Sequence, residues 1–178
     1  MKKSCILPPA VVLLTVLLPI SVSAQTTRPI QISLYHPVQI FNKDVSVRGI
    51  RLNVLYGVNN DLTGIDYGFI VNKLEGDLTG VQFGLVNLVD GNVTGYQDGL
   101  VNVVNNDFIG WQNGFVTITK GSLTGLNTGV YTKNGEMHGL QIGVVNITGK
   151  LDGLQIGLVN INKSATPHKF LPIINYSF

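Results

Sequence analysis

"MHGLQIGVVNITGKLDGLQIGLVNIN", residues 137–162, writes Gly-Leu-Gln-Ile-Gly twice, fourteen residues apart, with a Val-Asn-Ile close behind each copy. Aligning the chain on the leading glycine of that run extends the repeat in the N-terminal direction. The copies are Gly49-Ile-Arg-Leu-Asn, Gly64-Ile-Asp-Tyr-Gly, Gly80-Val-Gln-Phe-Gly, Gly95-Tyr-Gln-Asp-Gly, Gly110-Trp-Gln-Asn-Gly, Gly125-Leu-Asn-Thr-Gly, Gly139-Leu-Gln-Ile-Gly and Gly153-Leu-Gln-Ile-Gly, at spacings of 14 to 16 residues. A short fixed period makes each copy one structural unit that buries its surface against the next. The G-x-x-x-G spacing would suit a pair of transmembrane helices. β-Branched residues and Gly/Asn punctuation about every fifteen residues are instead strand and turn signals.

Turn clusters separate the copies: Asn59-Asn60-Asp61, Glu75-Gly76-Asp77, Asp90-Gly91-Asn92, Asn105-Asn106-Asp107, Lys120-Gly121-Ser122, Asn134-Gly135-Glu136 and Gly149-Lys150. Such residues accept tight-turn dihedrals at low cost. About twelve extended residues remain per copy. Together with Pro29–Phe41 and Lys169–Phe178 they make about ten strands.

Strand alternation puts Gln82 and its flanking glycines on one face and Val81, Phe83 and Leu85 on the other. Both faces read nearly alike in either direction, as an antiparallel self-pairing would need. The expected fold is therefore all-β: an up-and-down antiparallel barrel of about ten strands in an outer membrane. Twelve residues span ~40 Å, enough when tilted for an apolar band of ~25 Å. The alternative is a parallel β-solenoid with one coil per repeat. It is supported by the nearly constant period, by recurring Asn72, Asn87, Asn102, Asn146 and Asn160, and by Pro29, Pro37, Pro167 and Pro172 all lying in terminal segments.

In the barrel, the mid-strand polar residues Arg51, Asp66, Gln82, Gln97, Gln112, Asn127, Gln141 and Gln155 form a layer facing the lumen. Arg51 and Asp66 occupy equivalent sites on adjacent strands and should pair, each offsetting the other's burial. The opposite face would meet lipid through Leu52, Tyr67, Phe83, Ile142 and Ile156. Asp98, Asn113 and Thr128 interrupt it with a polar stripe that suits contact between protomers. The final "KFLPIINYSF" alternates apolar residues up to Tyr176 and Phe178, resembling the assembly signal on the closing strand of outer-membrane barrels.

Composition supports an exported chain. Met1-Lys2-Lys3, the apolar run Ile6–Ile20 and Val22-Ser23-Ala24 have the layout of a signal peptide over residues 1–24, leaving residues 25–178 as a single β-repeat domain without cysteine. Removing Lys2 and Lys3 takes the basic count from 12 to 10, against 10 acidic residues, so no charge excess points to nucleic acid. Nor is chemistry visible. His36, His138 and His168 lack metal-ligand spacing, and neither a nucleophile elbow nor a phosphate loop is present. The expectation is a protein that is not an enzyme, with no cofactor and no metal, a structural or surface role, and outer-membrane lipid and the barrel-assembly machinery as partners. The other functions weighed are an exported solenoid acting as an interaction module and a narrow conduit for water or small ions.

The G-L-Q-I-G-L-V-N core and the ending Leu171-Pro-Ile-Ile-Asn-Tyr-Ser-Phe178 together resemble the bacterial surface repeat-containing proteins, over roughly Pro29 to Phe178. The resemblance implies an exported, outer-membrane or cell-surface setting and brings no functional residues with it.

Overall fold

A computed structural model describes residues 26–178; the expected signal peptide lies outside them. The strands are β1 (Thr27–Tyr35), β2 (Val38–Gln39), β3 (Ser46–Asn59), β4 (Leu62–Gly68), β5 (Val71–Leu74), β6 (Leu78–Phe83), β7 (Val86–Val89), β8 (Val93–Val104), β9 (Phe108–Asn162) and β10 (Phe170–Ser177). The 55 residues of β9 are four repeats of nearly continuous extended backbone rather than one straight strand.

Consecutive repeats pair parallel and in register. Gly49 lies beside Gly64, Gly64 beside Gly80, Gly80 beside Gly95 and Gly95 beside Gly110. A second parallel ladder carries Val71 onto Val86, Val101 and Val116. Each repeat is thus one coil with two strand segments, bent near its second glycine and turned at its Asn/Asp/Gly cluster. The fold is a β-solenoid. The antiparallel barrel is incorrect, and the transmembrane strands and the lumen fall with it. A palindromic strand matches an antiparallel copy, but an in-register parallel stack matches any sequence with itself, so the symmetry of the unit did not discriminate between them.

The leading glycine is required by the backbone. Gly110 has φ = 131°, where side chains are strained, and an added Cβ would collide with the carbonyl oxygen of Gly95. The same clash recurs up the stack, because successive backbones run ~4.8 Å apart.

Two interior stripes fill the coil. At the turn end Val47, Leu62, Leu74, Leu78, Val89, Val93, Val104, Phe108, Leu123, Met137 and Leu151 form the apolar core. Toward the glycine bend, the interior is amide and hydroxyl, with the charged Arg51 and Asp66 among them. Both ends are capped. At the N-terminal end β1 adds a half-coil parallel to β3, with Gln31 beside Arg51, and β2 folds back on it antiparallel. At the C-terminal end β10 lies antiparallel on the last coil, pairing Asn175 with Gln155. The four prolines sit in β1, in β10 and in the links beside the caps, where a missing N–H interrupts no coil-to-coil ladder. Across Pro172 the β10 register shifts, and Ile173 takes φ = 70°.

Candidate functional site

The eight mid-strand polar residues all point inward and have no solvent exposure. They form a hydrogen-bonded stack, not the wall of a lumen, which removes the basis for a conduit. Gln112 Nε2 donates to Gln97 Oε1 (2.8 Å), Gln97 Nε2 to Gln82 Oε1 (2.7 Å) and Gln82 Nε2 to Asp66 Oδ2 (2.7 Å). An amide is both donor and acceptor, so one coil satisfies the next. This run ends on Asp66, a carboxylate that only accepts. Its charge is neutralised by Arg51, whose Nε and Nη2 reach Oδ1 and Oδ2 at 2.8 and 2.6 Å. Arg51 Nη1 also donates to the Lys73 carbonyl at 2.9 Å. Asn127 is too short to continue the run and bonds Asn134 and Thr117 instead. A second run passes from Gln155 to Gln141 and on to Thr132, capped by Asn175 of β10.

The asparagines form a companion ladder with the opposite sense. Asn53 Nδ2 donates to Asn72, Asn72 to Asn87 and Asn87 to Asn102, at 2.7 to 2.9 Å. One amide column therefore donates toward the N-terminal cap and the other toward the C-terminal cap.

With amides inside, many of the apolar residues lie outside. The residue after each second glycine is exposed: Phe69 by 70%, Leu85 by 51%, Leu100 by 54%, Phe115 by 55% and Leu158 by 68%. Parallel to that column runs Tyr67, Phe83, Asp98, Asn113, Thr128, Ile142 and Ile156. Between the two, along a floor of Gly68, Gly84, Gly99 and Gly114, lies a shallow groove of about 680 Å³. The column on the far side includes Tyr96 and Trp111, whose rings meet edge-on at 5.0 Å. Burial pushes the Tyr96 phenol pKa up, and the neighbouring Asp98 carboxylate adds to the rise. Together these columns form one apolar strip along the stack.

Asp98, Asn113 and Thr128 do form a stripe, sitting mid-strip in a hydrogen-bonded row. Thr128 Oγ1 donates to Asn113 Oδ1 and Asn113 Nδ2 to Asp98 Oδ1, both at 2.6 Å, and Trp111 Nε1 donates to Thr128 Oγ1 at 3.0 Å. Tyr176 and Phe178 stand on the exposed side of the capping strand, 69% and 94% exposed. Closing no barrel, they have no barrel-assembly signal to supply.

Among the described residues no group of three or more His, Cys, Asp or Glu side chains could hold a metal ion. His138 lies between Asp152, 3.1 Å from Nδ1, and Glu136, 3.4 Å from Nε2, on the partly exposed turn side. His36 meets the Tyr56 ring edge-on at 6.4 Å, far along the chain from His138. Among the described residues no helix is long and apolar enough to cross a membrane. No protein-family model, curated protein or solved structure matches the chain.

Reading the sequence found the inward polar layer but not the strip as a surface. Its signal was present in the apolar residue after every second glycine, which the barrel reading assigned to lipid.

Proposed function

We propose that the chain is a non-catalytic, exported β-solenoid acting as an interaction module, with its rigid stack presenting the apolar strip to a protein partner. One observation carries this reading. The inward polar side chains are paired mainly along the amide ladders and through Arg51–Asp66, yet Tyr67, Phe69, Leu85, Leu100, Trp111 and Phe115 remain in solvent on one continuous strip. Contiguous apolar surface of that extent is a mark of interaction sites, whereas single exposed apolar residues are not. Regular parallel pairing fixes the spacing of the strip in advance, so little ordering entropy opposes docking. The leader-like residues 1–24 and the resemblance to surface repeat proteins support an exported, cell-surface setting.

The test is site-specific photo-crosslinking in producing cells, with the crosslinker at Phe115 on the strip and at Ser122 on a turn. Discrete adducts at Phe115 and none at Ser122 are expected. Equal labelling at both positions, or none at Phe115, would refute the proposal.

A further inference from the structure

We infer that the partner on this strip is a second copy of the chain, related by a two-fold axis passing through Asn113. The inference rests on the strip being a docking face and adds the identity of the occupant. A two-fold interface must be complementary to itself when reversed. Along the central column the order is Tyr67, Phe83, Asp98, Asn113, Thr128, Ile142, Ile156. Reversed about Asn113, apolar residues fall on apolar and polar on polar. Phe83 meets the partner's Ile142, Tyr67 meets the partner's Ile156, and Asp98 meets the partner's Thr128. Under the same rotation each apolar column on either side faces its own copy in reverse order, so apolar residues meet apolar residues across the whole strip.

The polar row can be covered at low cost. Thr128, Asn113 and the Trp111 N–H already have partners within one copy. Covering them leaves one donor in need of a partner, and an orphaned donor is the main penalty for burying polar groups. The second amide hydrogen of Asn113 is left to bond across the axis.

The area suffices. Seven coils of ~4.8 Å thickness by a width of roughly 20 Å give about 700 Å² per copy, close to the ~800 Å² of a stable specific interface. A lipid surface fits less well, because acyl chains offer the Asp98 carboxylate no donor, whereas a second copy brings the free amide hydrogen of the partner's Asn113 to within one rung of it.

Sedimentation velocity on the full chain, purified from the compartment to which its cell delivers it, tests this. The wild type should sediment as a dimer. Phe83→Lys and Ile142→Glu should each weaken self-association by about tenfold or more. Both sites are on the outer surface, and an unchanged melting temperature would show that the coil is intact. The two changes combined in one chain should restore the dimer, because the rotation places each new ammonium opposite a new carboxylate twice. A wild type monomeric across the accessible concentration range, or a double variant no better than the single ones, overturns the inference. So does monomer that co-sediments with phosphatidylcholine vesicles. Adducts from Phe115 to a different protein, with no self-adduct, would sink the dimer while leaving the interaction module standing.

Discussion

Replacing Asp66 by glutamine would bring its coil into line with the repeat, and yet it should damage the protein. Arg51 and Asp66 are both without solvent exposure and share two hydrogen bonds of 2.6 and 2.8 Å. Glutamine at 66 can still accept from Gln82, but it leaves the Arg51 guanidinium buried without a counter-charge. Removing one member of a buried ion pair costs about 3–5 kcal/mol. For a chain of this size that lowers the melting temperature by roughly 6–20 °C. Arg51→Gln should cost a similar amount by stranding the carboxylate. The double variant Arg51→Gln with Asp66→Gln carries no charge and completes the amide run. Its remaining defects are the Lys73 carbonyl and, more weakly, Asn59 Oδ1, which lose the Arg51 donor, at about 1–2 kcal/mol together. Urea unfolding of the wild type, both single variants and the double variant gives the coupling directly. If Asp66→Gln lies within about 1 kcal/mol of wild type, or if the double variant loses the sum of the singles, the account of Asp66 as a ladder terminus held by Arg51 is wrong.

Gly110→Ala should destabilise by more than about 3 kcal/mol or prevent folding, since strain at φ = 131° adds to a backbone clash with Gly95, whereas Thr94→Ala on the outer face should stay within about 0.5 kcal/mol; thermal melts followed by circular dichroism compare them. Phe108→Ala, at a fully buried core position, should cost about 3–5 kcal/mol in the same assay. Ile173→Gly should stabilise the capping strand by about 1 kcal/mol, because Ile173 is 66% exposed and sits at φ = 70°; an unchanged or lower melting temperature would refute strain there. The Tyr96 phenol should ionise above its ordinary range in an ultraviolet titration, and Asp98→Asn should bring it part of the way back, burial being the larger cause. Its folded pKa is raised, so the stability it contributes is complete below the unfolded value and lost as pH climbs through the folded one.

The repeat unit, its turns and the inward placement of the polar residues could be read directly from the residues, and so could the pairing of Arg51 with Asp66. Chain direction could not. Alternation about Gln82 satisfies an antiparallel neighbour and a parallel one equally. The discriminating residues were Asn72, Asn87 and Asn102, whose side chains bond the same residue one coil away, together with prolines confined to the caps. The bilayer assignment failed for a related reason. Apolar residues such as Leu85 and Leu100 outside a polar interior suggest lipid only if that interior is wet, and here amide-to-amide bonds keep it dry. The terminal Phe178 misled because an apolar ending on a capping strand resembles one on a closing strand.

The Arg51–Asp66 pair also bears on how the chain finds its own alignment. Coils this similar could be stacked one place out of step, with most glycines still over glycines and most amides still over amides. Such a slip would set Arg51 against Gln82 and leave the carboxylate with no cation beside it. The single charged rung works as the zero mark on a ruler of otherwise interchangeable divisions, from which each later coil is counted into place.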